Sequence, residues 1–216
     1  MGQEQTSGKI VWVDCEMTGL DPAKDALIEV AVVVTDADLN PLDGGMDVII
    51  KPPADKLAVM GDYVREMHTK SGLLDELADG ITMAEALAAI MAYVQVWVPE
   101  QHDAPLAGNS VGVDKAFLTA NMPEFVDWLH YRIIDVSTLK ELAKRWYDRV
   151  WECKPEKATG HRALQDILES IDELRYYRAA MLVPSPGPTS DQCKAIALQI
   201  SENSAAGVTD ILSPVD

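Results

Sequence analysis

The chain has 216 residues, 48% of them hydrophobic, which is enough for one domain with a substantial core plus an appendage and too little for two full domains. Its formal charge of −17, from 35 acidic and 18 basic side chains, argues against a protein that grips long nucleic acid along a basic stripe, but leaves room for a pocket where metals meet a small anion. No apolar run approaches the roughly 18 residues of a membrane span, Met1 to Lys9 is too polar for a secretory leader, and Cys15, Cys153 and Cys193 have neither metal-ligand spacing nor an even count, so a cytoplasmic location is expected.

The elements follow in chain order. Lys9 to Val13 is an apolar, β-branched run leading into Asp14, and Leu27 to Thr35 is a second. Asp36 to Pro41 has turn composition, and Met46 to Lys51 reads as a third strand, so an antiparallel meander is expected. Thr82 with Glu85 forms a capping box ahead of a helix that ends near Trp97, where Pro99 stops it. Pro105 to Gly108 reads as a strand, Val113 to Asn121 as a helix and Tyr131 to Asp135 as a strand. Ser137 or Thr138 is positioned to cap the next helix, which carries Leu139, Leu142 and Trp146. A long helix from about Arg162 to Ala180 places Ile167, Ile171 and Leu174 at helical spacing. A meander followed by alternating strands and helices predicts an α/β mixed sheet with helices on both faces. Pro184 to Ser190 has linker composition, Gln192 to Ile200 reads as a short helix, and the rest as disordered. The expected division is a flexible segment 1–8, a domain 9–181, and a linker and tail 182–216.

Asp14 and Glu16 stand at i, i+2 at the end of an apolar strand, so alternation puts both carboxylates on one face and Cys15 on the other. They read either as two solvated acids or as hard oxygen ligands for Mg²⁺ or Mn²⁺. Asp114 follows the glycine-bounded turn Gly108-Asn-Ser-Val-Gly112, where it starts a helix or faces a phosphate-binding loop. His161 and Asp166 would be about 140° apart on one helix, so they converge only if His161 precedes the helix. There it is a surface histidine or a general base suited to neutral pH; His102 and His130 offer no comparable pairing.

Together the stretches Val13-Asp-Cys-Glu-Met-Thr-Gly-Leu-Asp21, Ala107-Gly-Asn-Ser-Val-Gly-Val-Asp114, His130-Tyr-Arg-Ile-Ile-Asp-Val-Ser-Thr-Leu-Lys-Glu-Leu142 and His161-Arg-Ala-Leu-Gln-Asp-Ile-Leu-Glu-Ser170 resemble the DEDDh 3′→5′ exonucleases. The resemblance spans about Lys9 to Arg178, and its first and third stretches point to the branch that acts on very short RNAs. It implies a ribonuclease-H-like sheet, a homodimer, and release of nucleoside 5′-monophosphates from short oligoribonucleotides, dinucleotides above all. By the family's pattern Asp14, Glu16, Asp114 and Asp166 hold two divalent metals, Mg²⁺ or Mn²⁺, and His161 takes the proton from the attacking water. Leu20 then matches a wedge between bases and His68 a residue lining the site. Ser110, Ser137, Tyr131 and Arg132 match groups that hold the 5′-phosphate, the last two from the dimer partner. Tyr63 stands where many relatives have a stacking tryptophan, and is either a base platform or a core residue of a helix. The competing expectations are a nuclease of the same class acting on longer RNA or DNA 3′ ends, and a non-catalytic module that binds phosphorylated ligands. The tail after Pro184 is absent from compact relatives.

Overall fold

The computed structural model describes residues 8–156, 160 and 162–212, with side chains described through residue 203. Strands β1 (Ile10–Met17), β2 (Leu27–Thr35) and β3 (Met46–Ile49) form the expected antiparallel meander. Three short helices, α1 (Ala54–Ala58), α2 (Asp62–Lys70) and α3 (Leu73–Glu76), lead to α4 (Met83–Trp97). β4 (Pro105–Gly108), α5 (Gly112–Asn121), α6 (Pro123–Trp128), β5 (His130–Asp135), α7 (Val136–Trp146), α8 (Asp148–Glu152) and α9 (Ala163–Met181) complete the first unit. The five strands run in the order β3-β2-β1-β4-β5, with β4 parallel to both β1 and β5. β1, which carries Asp14 and Glu16, is therefore the central strand.

All nine residues of β2 are buried, as a β-branched strand covered on both faces should be. One face builds the main core: Val11, Val13 and Cys15 of β1 and Val30, Val32 and Val34 of β2 join Ile90 and Val94 of α4, Phe117 and Leu118 of α5 and Phe125 of α6. The opposite face carries Trp12, Asp14 and Glu16, aligned with Val33, Ala31 and Glu29 of β2. α9 meets this face through its first residues, where Ala163 N donates to the Glu29 carboxylate. Meander and helix-covered mixed sheet match the sequence expectation.

Local differences have local causes. β1 runs four residues beyond Val13, because its pairing with β2 continues past the carboxylates. The Thr82–Glu85 capping box is present, with both reciprocal hydrogen bonds. The cap of α7 is neither Ser137 nor Thr138: Asp135 occupies that position and accepts from Ser137 N at 2.9 Å. An aspartate at the strand's end outcompetes the hydroxyls, which already lie inside the first turn.

The chain divides between Ala180 and Met181 into two compact units. In the second, α10 (Ser190–Leu212) extends well past Ile200, where the sequence suggested disorder. Thr189 and Gln192 exchange side-chain-to-backbone bonds of 3.3 and 2.8 Å at its start, and Lys194, Ala195, Ala197, Leu198 and Gln199 in the turns that follow favour helix.

Candidate active site

Strand alternation delivers Asp14 and Glu16 to the face that the first turn of α9 approaches, and α9 delivers Asp166. One ligand oxygen from each of Asp14, Glu16 and Asp166 lies within 4.8 Å of the others. Glu16 is buried and the other two are half-buried, so the three carboxyl groups gather, partly shielded from solvent, on one face of the central strand.

Asp114 comes from the first turn of α5 and is buried beside this trio without belonging to it. Its Oδ1 accepts from the backbone N–H of Cys15 at 3.0 Å, tying the helix to the strand between the two other carboxylates. Gly108 permits that approach, since a Cβ there would lie 2.7 Å from the Val13 carbonyl oxygen. The chain then passes through Ser110 with φ 57°, a left-handed conformation that a non-glycine residue adopts at a cost.

Electrostatics set these acids apart from surface carboxylates. Burial, followed by the charges of Glu29, Asp166 and Asp114, pushes the Glu16 carboxyl up to about 8. Burial also raises Asp114 to about 6, against the opposing pull of the backbone N–H groups bonded to it. The Cys15 thiol is pushed well up by burial and by Asp114 and Asp14, so it is no nucleophile. A set of oxygen donors whose mutual repulsion is relieved by positive charge suits a hard divalent cation.

The expected substrate residues fall into three groups. Leu20 stands 80% exposed on the loop after β1. That loop is pinned by Asp25, whose carboxylate accepts from Asp21 N at 2.9 Å and packs so closely that a Cβ on Gly19 would lie 2.4 Å from it. Tyr63, on α2, is 79% exposed, which excludes the core-packing alternative and leaves its ring free to stack. His68, also on α2, is fully buried; its Nε2 lies 2.9 Å from the Met17 carbonyl oxygen and its Nδ1 3.9 Å from Glu16 Oε2. It reaches the cluster from within the wall.

Ser110 and Ser137 are brought together by a residue that sequence reasoning treated only as a strand end. Asp135 Oδ1 accepts from Ser110 N at 2.9 Å, Ser137 N at 2.9 Å and Ser137 Oγ at 2.6 Å. An acidic residue just ahead of Val136-Ser-Thr138 was the available signal. Tyr131 and Arg132 are exposed on the edge strand β5, which β4 separates from β1 and its Asp14 and Glu16. The Tyr131 ring stacks on His130 at 4.5 Å and carries the Arg132 guanidinium 5.4 Å from its centroid, contacts made within the strand itself. The general-base expectation for His161 falls outside the described residues. Glu29 is the other residue that sequence reading passed over; a lone acid within the apolar run Leu27 to Val34 was its signal.

The model of the exonuclease family, described as "Exonuclease", matches residues 11–174. Among solved structures, the zinc-bound complex of E. coli exonuclease I with single-stranded DNA superposes with a TM-score of 0.64 at 16% identity, covering 81% of this chain and 41% of that one. Its complex with a dA16 oligonucleotide gives 0.63 at 15% identity with the same coverage. At such identities the likeness carries the fold, and this chain spans about two fifths of the length of those proteins. Fold and acidic cluster therefore define an exonuclease of the ribonuclease-H-like class, with divalent metal cofactors. The oligoribonuclease of Streptomyces griseus is 55% identical over 197 residues, 91% of this chain and 98% of that protein. Those of Leifsonia xyli and Mycobacterium tuberculosis are 53% and 48% identical over 91% and 92% of this chain, and 95% and 93% of theirs. The chain belongs to the oligoribonucleases, 3′→5′ exoribonucleases of the actinobacterial type.

Proposed function

We propose that this chain removes nucleoside 5′-monophosphates from the 3′ ends of very short oligoribonucleotides, dinucleotides above all, as a homodimer in the cytoplasm with two Mg²⁺ or Mn²⁺ ions. The observation that carries this reading is the convergence of Asp14, Glu16 and Asp166 within 4.8 Å, in a family of exoribonucleases. Asp14, Glu16, Asp114 and Asp166 would hold the ions, which when bound supply positive charge at the scissile phosphate and make water a better nucleophile. His161 accepts the proton from the attacking water as general base. Leu20 and Tyr63 are exposed enough to contact bases, and His68 braces the wall behind Glu16.

The 5′-phosphate is held by Ser110 and Ser137, presented side by side on Asp135, and capped by Tyr131 and Arg132 of the second subunit. The exposure of Tyr131 and Arg132 on the edge strand β5 supports a role across subunits. A cap at the 5′ end limits the substrate to a few nucleotides, which agrees with a charge of −17 that offers no basic groove. Residues 9–181 carry this activity, and the linker and tail 182–216 are dispensable for it. Among the described residues no helix is long and apolar enough to cross a membrane.

The test is incubation of the purified protein with 5′-phosphorylated RNAs of graded length, with Mg²⁺, with Mn²⁺ and with chelator. Rates should be highest on the dinucleotide, fall steeply with length and vanish with chelator. Equal rates on long RNA or DNA would reassign the substrate, and no metal-dependent turnover on any length would leave a binding module.

A further inference from the structure

We propose that Glu29 and Arg162 form a positioning couple that sets where Asp166 meets Asp14 and Glu16, and thereby how tightly the cluster binds a divalent cation. This rests on the reading of those carboxylates as metal ligands.

A fully buried carboxylate in an apolar strand is costly unless paired and hydrogen-bonded. Glu29 is both. Its Oε1 accepts from Arg162 Nε at 2.9 Å and its Oε2 from Ala163 N at 3.2 Å. Ala163 opens α9, whose first N–H groups have no acceptor within the helix, so Glu29 caps that helix from the neighbouring strand. The Arg162 carbonyl in turn accepts from Asp166 N at 3.0 Å and closes the turn that presents Asp166. On its other side the guanidinium grips Glu76, at 2.7 and 3.2 Å, and approaches Asp47 at 3.7 Å. One planar side chain thus spans β2, β3 and α3 and anchors the start of α9.

The couple's ends are what make it more than a brace. Glu29 lies directly opposite Glu16 in the β1–β2 register, and Arg162 lies one turn before Asp166. Any shift of the helix start changes the separation of two of the clustered carboxylates.

Charge and geometry predict opposite signs, which makes the proposal testable. By charge alone, a guanidinium near the cluster repels a cation, so losing it would tighten binding. By positioning, losing the fork would loosen it, and partners that orient metal ligands are worth about 10–100-fold in metal affinity. Arg162→Lys separates the two, because it keeps the charge opposite Glu29 while its single nitrogen cannot also hold Glu76. Mn²⁺ binding to the RNA-free protein is measured by calorimetry for wild type, Arg162→Lys, Glu76→Gln and Asp14→Asn, with folding checked by circular dichroism. Arg162→Lys should weaken Mn²⁺ about tenfold or more, and Glu76→Gln severalfold. At saturating Mn²⁺ the turnover of both should return towards wild type. An Mn²⁺ affinity unchanged or tightened in Arg162→Lys overturns the couple; should that variant fail to fold, an unchanged affinity in Glu76→Gln does so. If Asp14→Asn itself leaves Mn²⁺ binding intact, the ligand reading fails and the couple with it, whereas a loss there beside an unaffected Arg162→Lys rejects the couple alone.

Discussion

The two faces of β1 are built from alternate residues of one strand, yet they solve opposite problems. Val11, Val13 and Cys15 disappear into a core shared with α4, α5 and α6, where the driving force is removal of apolar area from water. Asp14 and Glu16, one residue away in each case, face α9 with Glu29 aligned beside them and Asp166 arriving from the helix. There, burial raises the free energy of the site, as the displaced Glu16 carboxyl records. The apolar face supplies the rigidity that holds the acidic face in a state it would not choose on its own. Stability and function are thus interleaved at a spacing of one residue.

That comparison is broken most severely by deleting a carboxylate. Asp14→Ala and Asp166→Ala should abolish dinucleotide cleavage at saturating metal while the protein stays folded by circular dichroism. Phe117→Ala on the opposite face should do the reverse, costing about 3–5 kcal/mol in denaturant titrations while the folded fraction retains its turnover. Near-normal cleavage by either aspartate variant would end the assignment of ligands. His161→Ala comes next, with an expected loss of about 10²–10⁴-fold in rate and little change in metal affinity by calorimetry. Parallel loss of metal binding would recast His161 as a ligand.

Arg132→Ala should weaken use of 5′-phosphorylated dinucleotides by about one to two orders of magnitude, the worth of a charge-assisted bond. It should hardly affect the 5′-hydroxyl form. Mixing Asp14→Ala and Arg132→Ala chains should restore up to about half the wild-type activity per heterodimer, because the intact carboxylates then face an intact cap. Verified subunit exchange without recovery would place Arg132 within its own chain's site.

A smaller effect reads the electrostatic strain directly. In the metal-free protein the Glu16 carboxyl lies near 8 rather than its ordinary 4.5, so its contribution to stability is present below about 4.5 and lost as pH rises through about 8. A neutral Glu16→Gln variant should therefore melt near wild type at pH 5 and several degrees higher at pH 8. A melting difference independent of pH would show that Glu16 is not strained. The smallest effect belongs to the tail: truncation after Met181 should leave dinucleotide cleavage unchanged, and a folded but inactive product would show that the tail completes the site.

Much of this molecule follows from its sequence alone. β-Branched runs locate β1 and β2, the alternation of Asp14 and Glu16 gives their shared face, and Thr82 with Glu85 marks the start of α4, because each signal lies within a few residues of chain. The order of motifs from Asp14 to Asp166 carries the family resemblance in the sequence itself. What only the tertiary structure decided depends on which distant segments become neighbours. Glu29 and Arg162 are separated by 133 positions and meet because β2 lies beside β1 under the start of α9. Asp135 joins Ser110 to Ser137 only because β4 and β5 end side by side, with Gly108 aligned to Asp135. Whether Tyr63 faced the core or water turned on how α2 packs, which its short and largely polar sequence leaves open. Periodicity is a local property of the chain, whereas the pairing of buried charges is a property of the assembled sheet.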